Sequence, residues 1–141
     1  MVPRGRHHLR RIALALGLAT AGCGDGKPTP YPVSGSVRVG GKEADGALVR
    51  LWPVGADGPD AVRPLGYVQP DGTFQLTSYK ENDGAPAGTY KVTVEWRPKR
   101  KSQIEPEGPD KLAGKYADPK ASKVEVTVGK GGTALDPIQL D

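Results

Sequence analysis

Histidine and cysteine are almost missing from this sequence. Both histidines, His7 and His8, precede the only cysteine, Cys23, so the chain beyond Cys23 has neither an imidazole nor a thiol. A serine nucleophile there would have only lysine as an activating base. A single cysteine also excludes an internal disulfide. We therefore expect a protein that is not an enzyme, with no catalytic residue and no cofactor.

Acidic residues are missing from the first 22 positions. Four arginines precede Cys23 and no Asp or Glu does, so the remaining chain carries 16 cationic and 16 anionic side chains. The net charge of +4 thus belongs to the N-terminal segment alone. The chain beyond Cys23 is neutral, and we expect no nucleic-acid partner.

Hydrophobic runs long enough to cross a membrane are missing as well. The uncharged run of residues 12–22 has eleven residues, which span about 16 Å as a helix against a bilayer core of about 30 Å. A cationic start, a short apolar run and small residues before Cys23 are typical of a signal peptide. The sequence predicts that residues 1–22 are such a leader.

The residues around Cys23 resemble the lipobox of bacterial lipoproteins. Ala21, Gly22 and Cys23 fit that pattern, whereas Thr20 stands where an aliphatic residue is usual. The resemblance implies cleavage before Cys23, lipidation of its sulfur and a membrane partner through this anchor, because two or three acyl chains bind a bilayer essentially permanently. Residues 23–30, rich in Gly and Pro, are then a flexible tether. A secreted domain without a lipid remains the alternative.

Alternating apolar and polar residues indicate β-strands in the rest of the chain. The clearest case is residues 90–97, where Tyr90, Val92, Val94 and Trp96 share one face. Glycine (20) and proline (14) are too frequent for long helices. The sequence predicts an all-β fold, a single antiparallel β-sandwich of about seven strands over residues 31–141. The predicted strands are residues 33–39, 47–52, 66–69, 73–78, 90–97, 124–128 and 135–140.

The order of several short motifs resembles one family. These motifs are Val33-Ser34-Gly35-Ser36-Val37, Asp71-Gly72-Thr73-Phe74, Pro86-Ala87-Gly88-Thr89-Tyr90 and Lys115-Tyr116-Ala117-Asp118-Pro119. Together they resemble bacterial lipoproteins that carry a carboxypeptidase regulatory-like, transthyretin-like sandwich domain. The resemblance implies that fold and a location in the cell envelope, lipid-anchored on the periplasmic or outer face of a membrane. It implies no particular chemistry, because such folds host many functions.

Aromatic residues are the candidate ligand contacts. Related sandwich modules stack sugars on exposed aromatic rings. The aromatic candidates here are Trp52, Trp96, Tyr67 and Tyr116, of which Trp52 and Tyr116 are the predicted ligand contacts. Trp52 ends its strand on the face opposite Val49 and Leu51, where it is either exposed or covered by a loop. Trp96 shares a face with Tyr90, Val92 and Val94, so we expect it in the core.

Residues 98–121 form the one long irregular stretch. It begins with Lys99, Arg100 and Lys101, and becomes acidic at Glu105 and Glu107. We interpret the cations as a solvated strand end neutralised by the acidic residues that follow. No twelve-residue calcium-loop pattern orders these acids, so no metal site is predicted.

The function predicted from the sequence is an envelope-anchored, non-catalytic interaction or structural module. Its partner beyond the membrane is another envelope protein or a polysaccharide. The alternative function is a carbohydrate-binding module on the cell surface.

Overall fold

The structure is a computed structural model that describes residues 24–141. The predicted signal peptide and Cys23 lie outside this part of the chain. Within it there are eleven strands and no helix, and residues 24–29 are exposed without regular secondary structure. No helix long and apolar enough to span a bilayer occurs between residues 24 and 141. The strands are β1 Pro30–Tyr31, β2 Val33–Val39, β3 Lys42–Glu43, β4 Leu48–Pro53, β5 Leu65–Tyr67, β6 Thr73–Gln75, β7 Ala85–Pro86, β8 Gly88–Glu95, β9 Glu125–Val128, β10 Thr133–Ala134 and β11 Ile138–Leu140.

One sheet is antiparallel and has the order β5-β4-β8-β9. The alternation of β8 gives this sheet one buried and one solvent-facing side, because Val92 and Val94 are buried while Lys91 and Glu95 on the other side are half-exposed. The register sets Val49 opposite Val94 and aligns the apolar faces of β4 and β8.

The other large sheet is built around β2, which is paired along both edges. Ser34 pairs with Gln75 of β6 on one edge and with Ala134 of β10 on the other. Arg38 likewise pairs with Glu43 of β3 and with Gln139 of β11. The β10 and β11 pairings are parallel, so the prediction of a purely antiparallel sandwich is wrong here. The chain returns along β2 in the same direction. Of the single strand predicted at residues 135–140 only Ile138–Leu140 is formed, and residues 135–137 separate it from β10.

A third, two-stranded pairing joins the start of the domain to its middle. In β1 and β7, Pro30 lies opposite Pro86 and Tyr31 opposite Ala85. Gly84 has a φ of +94°, and a side chain there would meet the Tyr31 carbonyl. Strand β1 is therefore held in place by its pairing with β7, directly after the irregular residues 24–29.

The core is apolar and draws on both large sheets. Val33 and Val37 of β2, Val49 and Leu51 of β4, and Phe74 of β6 are at most 3% exposed. Phe74 packs so closely on β2 that a Cβ at Gly35 would lie 2.6 Å from its Cζ. Two large sheets with buried facing residues are consistent with a β-sandwich.

The long segment between β8 and β9 is irregular, as the sequence indicates, and one carboxylate organises its centre. Asp110 accepts hydrogen bonds from the backbone N–H groups of Trp96 (2.8 Å), Leu112 (3.0 Å) and Gly114 (3.0 Å). Burial acts to raise the pKa of Asp110, but these hydrogen bonds and Arg97 outweigh it and the pKa is lowered. The turn so formed inserts the buried Leu112 into the core.

Candidate binding surface

Trp52 lies on the outer face of the antiparallel sheet. Strand alternation turns Leu48, Arg50 and Trp52 away from the core residues Val49 and Leu51. The β4 strand lies between β5 and β8, and β8 lies between β4 and β9. Because the main-chain N–H and C=O groups of these strands are hydrogen-bonded to the neighbouring strands, only side chains on this face are available to a binding partner.

The Trp52 indole lies across the sheet. Its Nε1–H donates a hydrogen bond to Oγ1 of Thr93, at 2.9 Å. Thr93, which is opposite Arg50 in the neighbouring strand, is only 4% exposed although its neighbours on this face are half-exposed. The indole therefore covers Thr93 instead of projecting into solvent.

Two guanidinium groups flank the indole. The Cζ atoms of Arg63 and Arg50 lie 5.2 Å and 5.8 Å from the Trp52 ring centroid, within the range of a cation–π interaction. Arg50 is on β4, whereas Arg63 comes from the loop before β5, where its Nη2 donates to the Gly58 carbonyl at 3.3 Å. Two distant parts of the chain thus meet at one aromatic ring.

Neither of these arginines has an ion-pair partner among residues 24–141. The other three arginines of this part of the chain, Arg38, Arg97 and Arg100, are each paired with a glutamate. The Nε atom of Arg63 is buried without a hydrogen-bond partner, which leaves the cost of its desolvation uncompensated. Positive charge is therefore unneutralised next to Trp52.

Exposed and half-buried apolar residues continue the surface along the sheet. Tyr67 lies opposite Leu48 and is 58% exposed, and Leu65 lies opposite Arg50. Leu48 is four residues from Trp52, so Tyr67 lies about 13 Å along the strands from the indole. We call the surface formed by Arg50, Trp52, Arg63, Leu65 and Tyr67 the Trp52 face.

The second candidate contact, Tyr116, is on the other side of the sheet. It packs against the core and lines a cleft of about 490 Å³ together with Val92 and Val94. Its hydroxyl accepts a hydrogen bond from the Asp141 N–H at 3.1 Å, and a hydrogen bond with its side chain raises the pKa of Lys115. Because Val92 and Val94 face inward and Thr93 faces outward, Trp52 and Tyr116 do not belong to one site. Cys23, the predicted lipidation position, lies outside the described residues.

Trp96 has the place expected of it, against the core. Its ring packs there half-buried, and its Nε1–H donates to the Asp45 carbonyl at 2.9 Å. Lys111 covers the ring at 4.4 Å from its centroid. Trp96 is thus a structural residue that fastens the end of β8.

The basic residues after Trp96 line a cleft of about 320 Å³ at the end of the same sheet, where Tyr67 also contributes. Arg97, Lys99 and Arg100 are each paired with a carboxylate. Among these partners only Glu107 follows the cations in the sequence, so the interpretation that the acidic residues downstream neutralise them holds only in part. The ion pairs are Arg97–Glu95 (3.2 Å), Arg97–Glu107 (3.9 Å), Lys99–Asp45 (2.8 Å) and Arg100–Glu107 (3.6 Å). This cleft therefore differs from the Trp52 face, whose two arginines are not neutralised.

No protein family, no curated protein and no solved structure matches this sequence. Within residues 24–141, no three His, Cys, Asp or Glu side chains are grouped so that they could hold a metal ion.

Trp52 is predicted from the sequence as a ligand contact, but its two arginine neighbours are not. The signal for Arg50 was present, because it lies two residues before Trp52 in a strand and so shares its face. Arg63 had no such signal, because only the path of the loop from Val54 to Pro64 brings it back to β4.

Proposed function

We propose that this protein is a lipid-anchored binding module of the cell envelope that acts without catalysis. The observation that carries the proposal is the order of its parts. A leader of signal-peptide type ends at Cys23, six exposed residues without regular structure follow, and the β-domain begins at Pro30. A lipid on Cys23 would hold the domain within roughly 20 Å of the membrane, the extended length of that segment.

The described fold supports a role in binding. Its core is complete within residues 33–140, and the Trp52 face offers arginines without ion-pair partners and an exposed tyrosine. In the chain beyond Cys23 no histidine is present to serve as a general base.

We also propose that the domain is a transthyretin-like sandwich of the carboxypeptidase regulatory-like kind. Two large sheets around one apolar core, together with the motif order of the sequence, support this assignment. The seven predicted segments would be the principal strands of that fold. The two-residue strands would be additions at the ends of these principal strands. An experimental structure that placed both sheets in a single layer would refute it.

The anchor is tested by expressing the full-length protein and its Cys23→Ala variant in a bacterial host. We expect the native protein to pellet with membranes and to carry acyl mass on Cys23, and the variant to keep its leader. A Thr29→Ala variant, changed in the same segment, is the matched control and should behave like the native protein.

A soluble native protein, cut elsewhere and free of acyl mass, would overturn the anchor. The domain would then be a secreted binding module. Its binding surface could still be tested, because the Trp52 face does not depend on Cys23.

A further inference from the structure

We propose that the Trp52 face binds an acidic polysaccharide, through carboxylates held by Arg50 and Arg63 and through sugar rings that contact Tyr67. This inference rests on the proposed function in taking the protein to be a binding module, and it adds the chemical class of the partner.

The charge of the partner follows from the two arginines. Planar guanidinium groups match carboxylates with paired hydrogen bonds, and stacking on an aromatic ring fixes their orientation. Arg50 and Arg63 are both fixed against Trp52 and lack a carboxylate partner in the described chain. Asp57 and Asp60, in the loop that carries Arg63, are exposed and within ion-pair distance of neither. An anionic group supplied by a ligand would complete the cluster.

The extent of the surface favours a polymer over a small anion. The arginines lie at one end, and Tyr67, 58% exposed, lies about 13 Å along the strands from Trp52. The half-buried Leu65 connects the two ends. A chain of several linked units is needed to contact both ends at once.

A polysaccharide fits this face better than a peptide strand or a membrane does. Peptide strands bind by adding main-chain hydrogen bonds to a free edge. Strands β4 and β8 are paired on both sides, and Leu65 of the edge strand β5 already exchanges two main-chain hydrogen bonds with Thr77 (3.0 and 2.8 Å). Membranes attract broadly basic surfaces, whereas Glu95 and the Lys91–Glu125 ion pair (3.0 Å) share this face. Sugar rings suit a flat surface that carries an exposed aromatic ring and discrete cations.

The test measures binding of polygalacturonate to the full-length protein purified as the cell makes it, in detergent where it is membrane-bound. Fully methyl-esterified polygalacturonate has the same backbone without charge and is the matched ligand control. We expect binding of the acid form and at least a tenfold weaker Kd for the ester, since a charge-assisted hydrogen bond contributes about that factor.

Three single variants remove one positive charge each. Arg50→Gln and Arg63→Gln should each weaken the Kd about tenfold. Arg38→Gln, which removes a cation already paired with Glu43 on the other large sheet, should change it less than twofold. Arg63 lies in a loop, so its variant remains informative should Arg50→Gln fail to fold, and circular dichroism checks each variant.

Four results would overturn the proposal. Equal losses in all three variants would mean general electrostatic attraction, and equal binding of the ester would mean that charge is not recognised. Binding of poly-glutamate or of phosphatidylglycerol vesicles at least as tight as that of polygalacturonate would assign the face to another partner. Absence of binding together with intact membrane anchoring would refute the ligand class and leave the anchored module standing.

Discussion

Single side chains order the irregular parts of this molecule. The Asp110 carboxylate accepts hydrogen bonds from three backbone N–H groups. The Asp83 carboxylate likewise accepts hydrogen bonds from the backbone N–H groups of Ser78 (2.7 Å), Tyr79 (3.0 Å) and Lys80 (2.9 Å). In both cases burial acts to raise the pKa of the carboxyl and the hydrogen bonds lower it more. The ionised carboxylate is therefore the form that the fold stabilises.

Replacing Asp110 by Asn should destabilise the protein at neutral pH. Asn keeps one acceptor oxygen and points its NH₂ at a backbone donor, so we expect a loss of about 1–3 kcal/mol in the free energy of unfolding. Urea denaturation at pH 7 measures this loss. The matched variant Asp57→Asn, at an exposed carboxylate without a hydrogen bond in the described chain, should stay within about 0.5 kcal/mol of the native protein.

The effect of Asp110→Asn should depend on pH. The pKa of Asp110 is lower in the folded than in the unfolded chain, so its contribution is full above the unfolded pKa of about 3.9. That contribution is lost as the pH falls through the folded pKa. The stability difference between native protein and variant should therefore shrink below about pH 4, and a difference that grew on acidification would contradict this account.

The hydrogen bond between Trp52 and Thr93 can be tested by Thr93→Val, which keeps the shape of the side chain. Without the hydroxyl, the indole N–H loses its acceptor, and we expect about 1 kcal/mol of destabilisation in urea titrations. Thr127→Val changes an exposed threonine in the neighbouring strand β9, whose hydroxyl is at best weakly bonded to that of Thr89 (3.5 Å), and serves as the control. Equal effects of the two variants would show that the hydrogen bond contributes nothing.

At the scale of strands, the alternation in the sequence predicted the long elements and missed the short ones. Residues 33–39 and 47–52 were expected as strands, and the structure has Val33–Val39 and Leu48–Pro53. In contrast, β3 and β7 have two residues each, too few to show a period. They are strands because a partner lies alongside, which is information that the local sequence does not contain.

The contact between β5 and β6 depends on a glycine. A Cβ on the buried Gly66 would meet the Gln75 carbonyl oxygen, which is backbone and has no freedom to move aside. Gly66→Ala should therefore lower the free energy of unfolding by about 1–3 kcal/mol. Gly58, which has open space around it, is the control, and Gly58→Ala should be neutral or stabilise by up to about 1 kcal/mol. Chemical denaturation of both variants measures the contrast, and a tolerated Gly66→Ala would show that the strands can move apart.

For the whole molecule, the C-terminal strands should be indispensable and the segment before β1 dispensable. Removing residues 133–141 deletes β10 and β11, exposes one edge of β2 and uncovers Ile138 and Leu140 from the core. We expect the shortened chain to unfold or aggregate in size-exclusion chromatography. Deleting residues 24–29 removes no core residue and should shift the thermal midpoint by less than about 2 °C.

At the scale of the whole molecule, the residues of the Trp52 face could be predicted from the sequence only in part. The alternation within a single strand predicts which face each side chain occupies, so Trp52 is predicted on the outer face and Trp96 on the inner face. Which distant residues share a surface depends on the path of loops, so neither the approach of Arg63 nor the distance between Trp52 and Tyr116 could be derived.

The parallel pairing of β11 with β2 also sets the order in which the chain can fold. Val37 pairs with Ile138, one hundred and one positions later, so an emerging polypeptide has no partner for that edge until Ile138 has been synthesised. Contacts of such large sequence separation are expected to form slowly. The edge of β2 that β11 covers therefore stays unpaired on a nascent chain until residues 138–140 have left the ribosome, although the rest of β2 has been synthesised long before.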